Sequence, residues 1–174
     1  MKEIQNRDDS RKRTVYVVYG RDHIACETIH THLKAFNLHL LEKDDVVAKL
    51  TKETSPFVGD ILTAAFEEAQ AIIVLLTGED RVRLREQFWE SHDARYEKEF
   101  WPQSGQDQIF EAGYAFGISP DRTILVQIGH VRPFSDIAGR YMLHFGNPGD
   151  EKADRRALWR RLEKAGCILP PLDS

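Results

Sequence analysis

One glutamate stands where residue types and spacing could make it do chemistry. It lies in Gln106-Asp107-Gln108-Ile109-Phe110-Glu111-Ala112-Gly113-Tyr114-Ala115-Phe116-Gly117. The pattern predicts a short helix, with Ser104 as a cap, Asp107 completing a box-like start, and Glu111 in the second turn. The apolar positions 109, 112, 113 and 116 share one face at helical spacing. Glu111 lies roughly opposite them, where a glutamate is ordinarily solvated. Gly113 and Gly117 offer places where the backbone can be approached closely. Asp107 and Glu111 are four apart, so their carboxylates can be neighbours on one face. In a shared dry site, repulsion would keep one of them protonated; otherwise Asp107 simply caps the helix.

A second candidate is Tyr19-Gly20-Arg21-Asp22. At a strand-to-helix turn, backbone N–H groups and an arginine can hold a phosphate. The same residues also read as a turn glycine, a surface arginine and a cap aspartate. A single glycine is not a dinucleotide fingerprint, and no GxGxxG or Walker pattern occurs. A receiver domain would need an aspartate where the third strand ends Leu75-Leu76-Thr77. The seven histidines are scattered at spacings that match no usual ligand pattern, so no metal site is expected. Cys26 and Cys167 form no local pair and read as reduced thiols of a cytoplasmic protein.

The elements that must position these residues follow from periodicity. Thr14 to Tyr19 is a continuous β-branched and aromatic run, typical of a parallel strand buried on both faces. A helix capped by Asp22 follows, with Cys26, Ile29, Leu33 and Phe36 facing the sheet. Leu38 to Leu41 reads as a short second strand, and Glu42 to Pro56 as a polar loop. Val58, Ile61, Leu62, Ala65, Phe66 and Ala69 trace a helical stripe, and Ala71 to Leu76 is a second buried strand. Residues 81–103 are charged, with aromatics interspersed, and read as a solvated, salt-bridged helix, a lid or an assembly surface. Thr123 to Ile128 and Tyr141 to Phe145 read as further strands, and a terminal helix runs from about Lys152 to Ala165.

Alternating strands and helices predict an α/β fold: a doubly wound, flavodoxin-like sheet of five parallel strands with helices on both faces. Ligands of such a sheet bind beyond the carboxyl ends of the strands, near the switch point between the first and third. Tyr19, Gly20, Arg21, Asp22, Thr77 and Asp80 arrive there, and the Glu111 helix starts near the same edge. Residues 1–13 are dense in both charges and read as a disordered leader or linker, leaving 14–174 as one domain. With 174 residues, 41% apolar, 30% charged and a net charge of −4, the chain has no basic footprint for nucleic acid. It also has no apolar run long enough for a membrane helix.

Four blocks in order carry a resemblance. They are Val17-Val18-Tyr19-Gly20-Arg21-Asp22, Val74 to Asp80, Gln106 to Tyr114, and Ser135-Asp136-Ile137-Ala138-Gly139. Together they resemble the TIR-like domain of bacterial anti-phage effectors of the Pycsar and TIR–STING kind, over roughly residues 14 to 166. The resemblance implies cleavage of NAD+ to nicotinamide and ADP-ribose or a cyclised form, with NAD+ as substrate and no further cofactor. It makes Glu111 the catalytic residue, stabilising an oxocarbenium-like ribose or holding its hydroxyls. It further implies a homo-oligomer, switched on through a cyclic-nucleotide sensor domain or partner, that completes the site around an outward-facing Glu111. Where such domains commonly carry Arg-Gln-Asn before this helix, this chain has Gly105-Gln106-Asp107. The alternatives are a nucleoside deoxyribosyltransferase-like enzyme and a non-catalytic, nucleotide-binding TIR module.

Overall fold

The computed structural model describes residues 8–50, 56–134, 139–146 and 149–172. Five strands form the main sheet: β1 (Thr14–Val18), β2 (His39–Leu40), β3 (Ala71–Thr77), β6 (Thr123–Ile128) and β7 (Leu143–Phe145). Their order is β2-β1-β3-β6-β7, and every pairing is parallel. This is the expected doubly wound arrangement. β3 is central and buried at every residue, which is why it reads as an unbroken apolar run rather than an alternating one.

Successive side chains of the strands enter two cores. Val15, Val17, Ile73, Leu75 and Val126 pack on one face with α1 (His23–Ala35) and α6 (Glu151–Lys164). Tyr16, Val18, Ile72, Val74, Leu76 and Leu125 pack on the other with α3 (Val58–Glu68) and α5 (Gln106–Ile118). The cap of α1 is as expected: the Asp22 carboxylate accepts from the Ala25 N–H at 2.9 Å.

Three segments differ from the sequence reading. The polar loop after β2 contains a helix, α2 (Lys43–Leu50), which buries only Val46 fully; one apolar anchor gives too weak a stripe to be seen in the sequence. Residues 81–103 do not make one long helix. β4 (Asp80–Val82) and β5 (Trp101–Gln103) pair antiparallel, enclosing a 3₁₀ turn and the four-residue α4 (Arg95–Lys98). The aromatics there follow no helical period. Arg81 and Arg83 lie over the exposed Phe100 ring, 5.9 and 5.1 Å from its centroid. Order also begins before Thr14. Residues 8–11 make a helical turn, and the Lys12 and Arg13 carbonyls accept from Ile168 and His39 N–H at 2.9 and 2.7 Å.

No helix among the described residues is long and apolar enough to cross a membrane.

Candidate functional site

The connections leaving β1 and β3 part company at the switch point, and a crevice opens there. β1 ends level with Val74, while β3 runs on to Thr77. The crevice of about 850 Å³ is lined by Tyr19 to Asp22 after β1, Gly78 to Asp80 after β3, and Gly105 to Gln108 with Glu111 at the start of α5. Of the residues singled out from sequence, Tyr19, Gly20, Arg21, Asp22, Asp80, Asp107 and Glu111 therefore meet in one place. Thr77 does not line it. As the last residue of the central strand it is only 2% exposed, and its hydroxyl donates to Glu79 Oε1 at 2.8 Å from beneath.

Glu111 is half-buried and does not face outward. The face of α5 that meets the sheet carries Gln108, Ala112 and Ala115, while Phe110 is 69% exposed and stacks on Tyr114. Apolar character alone mis-sets the helix: the aromatic points out, and an amide and two alanines point in. Nor do Gly113 and Gly117 allow a close approach, since a Cβ added at either meets nothing. The cap is also displaced by one residue. Gly105 is the N-cap, and its N–H donates to Gln108 Oε1 at 2.7 Å. Ser104 is fully buried, with no hydrogen-bond partner for its hydroxyl among the described residues.

Glu111 also borders a second hollow of about 250 Å³, with Tyr16, Tyr19, Leu41, Glu42 and Lys43 among its walls. Glu111 thus lines both spaces. Burial raises its pKa above the ordinary value; the Lys43 ammonium pulls it back, and the Asp107 carboxylate pushes it up. Asp107 itself is exposed, so the two acids do not share a dry site. Tyr16 is pushed up to about 12, first by burial and then by the negative charge of Glu111.

A model of the TIR domain of CAP12/Pycsar effector proteins matches residues 14–147, more than three quarters of the chain. The chain belongs to this family. No curated protein matches it. The match covers the crevice of this TIR domain completely, together with all of the main sheet. Of the fourth block that carried the resemblance, Ser135 to Ala138 lie outside the described residues.

Sequence reading missed Gln108 and Glu79. Gln108 is 2% exposed and ties α5 to β3, its Nε2 donating to the Leu75 carbonyl at 3.0 Å. The Glu79 carboxylate accepts from the backbone N–H groups of Arg21 and Asp22 at 2.7 and 3.1 Å. The amides expected to be open to a phosphate are therefore engaged. A glutamate two residues beyond a strand carries no signal of such a contact; the nearest hint is Gly20, where a Cβ would fall 2.3 Å from Glu79 Oε1. Among the described residues, no group of three or more His, Cys, Asp or Glu gathers to hold a metal.

The raised Glu111 pKa makes stability depend on pH. Folding favours its protonated form, so its contribution is fully present below the ordinary value near 4.5 and is lost as pH rises through the raised value. Glu111→Gln cannot ionise. At pH 8 it melts above wild type, and at pH 4 the difference disappears; thermal melts at the two pH values check this.

Proposed function

We propose that this TIR domain is an NAD+ nucleosidase acting in the cytoplasm as an anti-phage effector, with Glu111 as its catalytic carboxylate. The observation that carries the proposal is the position of Glu111, half-buried and lining both a polar crevice and a smaller hollow walled by two tyrosines. The crevice of about 850 Å³ is large enough for a dinucleotide with its scissile bond beside Glu111.

The chemistry asks little more of the protein. When the bond between ribose C1′ and nicotinamide N1 breaks, its electron pair goes to nicotinamide, which leaves neutral without needing a proton. Positive charge develops on the ribose, and a fixed carboxylate stabilises it in a site partly withdrawn from water. Water then adds to C1′, loses a proton and completes ADP-ribose; attack by a hydroxyl of the same molecule would give the cyclised form. A single carboxylate suffices where glycosidases need two.

Among the described residues lining the larger crevice, Arg21 is the sole cation, and the other charged groups are Asp22, Glu79, Asp80, Asp107 and Glu111. It is the group to meet the substrate diphosphate. Arg21→Ala raises KM for NAD+ roughly tenfold or more, the scale of one charge-assisted hydrogen bond, with a smaller change in kcat. Steady-state kinetics on NAD+ check this.

Activation by homo-oligomerisation, under a cyclic-nucleotide sensor domain or partner, belongs to the same proposal. It rests on the effector family. A substrate panel run across protein concentrations tests the reading. NAD+ cleavage that rises more steeply than protein concentration supports it. Base exchange on deoxynucleosides without action on NAD+ would favour the transferase alternative. Binding of ADP-ribose without turnover would favour the non-catalytic module.

A further inference from the structure

Glu79 makes contacts that neither cleavage of NAD+ nor the packing of the sheet requires. Its Oε1 accepts three hydrogen bonds, from the Arg21 N–H at 2.7 Å, the Asp22 N–H at 3.1 Å and the Thr77 hydroxyl at 2.8 Å. The carboxylate lies directly over Gly20, where a Cβ would come within 2.4 Å of Oε2. The chain is bent to bring it there: the Glu79 N–H donates to the Thr77 carbonyl at 3.0 Å. At Gly78 a Cβ would fall 2.6 Å from Pro102 Cβ, so β5 closes on this bend from behind. Thr77 supports the carboxylate from below, and the β1–α1 turn meets it in front.

Two consecutive backbone amides ahead of a helix form a concavity suited to an anion. Here a side chain of the same molecule supplies the anion, through charge-assisted bonds of ordinary length. We propose that Glu79 is the resident anion of the β1–α1 turn, a positioning residue that fixes the Tyr19–Asp22 wall of the crevice and keeps ligand phosphate off its amides. A phosphate entering the crevice then finds those donors filled. Gly20 follows from the same arrangement, because any side chain there would displace the carboxylate. The inference does not depend on which reaction the crevice performs.

The test uses the isotope-labelled 174-residue chain, with inorganic phosphate as the probe and the Arg21 and Asp22 amides as reporters. In wild type, both amides exchange slowly with solvent and their resonances stay fixed as phosphate is added. Glu79→Gln keeps an acceptor oxygen and retains the slow exchange within about threefold. Glu79→Ala empties the turn: exchange at the two amides rises at least about tenfold, and millimolar phosphate moves their resonances and restores protection. A purely structural role for Glu79 would not produce that rescue. Amides as protected in Glu79→Ala as in wild type, or wild-type resonances that follow phosphate as the alanine variant's do, would overturn the proposal. If Glu79→Ala does not fold, loss of protection in folded Glu79→Gln overturns it, and retained protection with no response to phosphate supports it.

Discussion

Glu111→Gln lowers the rate of nicotinamide release from NAD+ by about 10²-fold or more, with little change in KM. Glutamine keeps the shape of the side chain and its place in the lining of both hollows, so ground-state contacts with the dinucleotide persist. What is lost is the negative charge that opposes the cation developing on the ribose. Losing one preorganised electrostatic contact costs about 2.7 kcal/mol or more of transition-state stabilisation, which is the hundredfold effect. Because the interaction strengthens as the bond breaks, the loss appears in kcat. Steady-state kinetics with product quantification measure it, and equal kcat values for the two proteins would remove Glu111 from the mechanism.

The largest effect on stability is expected at Gln108. Its side chain spans the N-terminus of α5 and the end of β3. Oε1 accepts from the Gly105 N–H at 2.7 Å, and Nε2 donates to the Leu75 carbonyl at 3.0 Å, with a longer contact of 3.4 Å to the Thr77 hydroxyl. Gln108→Ala leaves these backbone groups without their partner in a place the amide now fills. At about 1–3 kcal/mol for the buried Leu75 carbonyl and about 1 kcal/mol for the part-buried Gly105 N–H, the sum is roughly 2–4 kcal/mol. For a domain of this size that lowers Tm by roughly 5–15 °C. Gln106→Ala, at an exposed neighbouring position, changes stability by less than about 0.5 kcal/mol. Thermal and urea unfolding of the two variants separate the cases. An unchanged Tm for Gln108→Ala would show that α5 is held by other contacts.

The sheet was legible because each of its three longest strands announces itself by composition. Thr14–Val18, Ala71–Thr77 and Thr123–Ile128 are β-branched and apolar because both of their faces meet helices. Asp22 was legible as a cap because its chemistry is local, needing only an N–H three residues on. The site was legible as a place, since topology alone brings the ends of β1 and β3 together. Its details were less so. The inward face of α5 is made of an amide and two alanines while a phenylalanine faces solvent, so ranking residues by hydrophobicity turns Glu111 away from the crevice it lines. Glu79 was hidden for another reason. Its partners Arg21 and Asp22 stand far away in the sequence, and the bonds go to backbone N–H groups, which every non-proline residue has. The β4–β5 hairpin lies around a stretch whose charges and aromatics repeat with no single period.

NAD+ cleavage at the Glu111 crevice is tested most directly by product analysis of NAD+ incubated with the wild-type protein, concentrated or crowded to promote assembly and with cyclic nucleotides present. The expected result is nicotinamide and ADP-ribose, or its cyclised form, in equal amounts and well above the rate without protein. No nicotinamide above that background at any protein concentration, from protein shown to be folded, would contradict it.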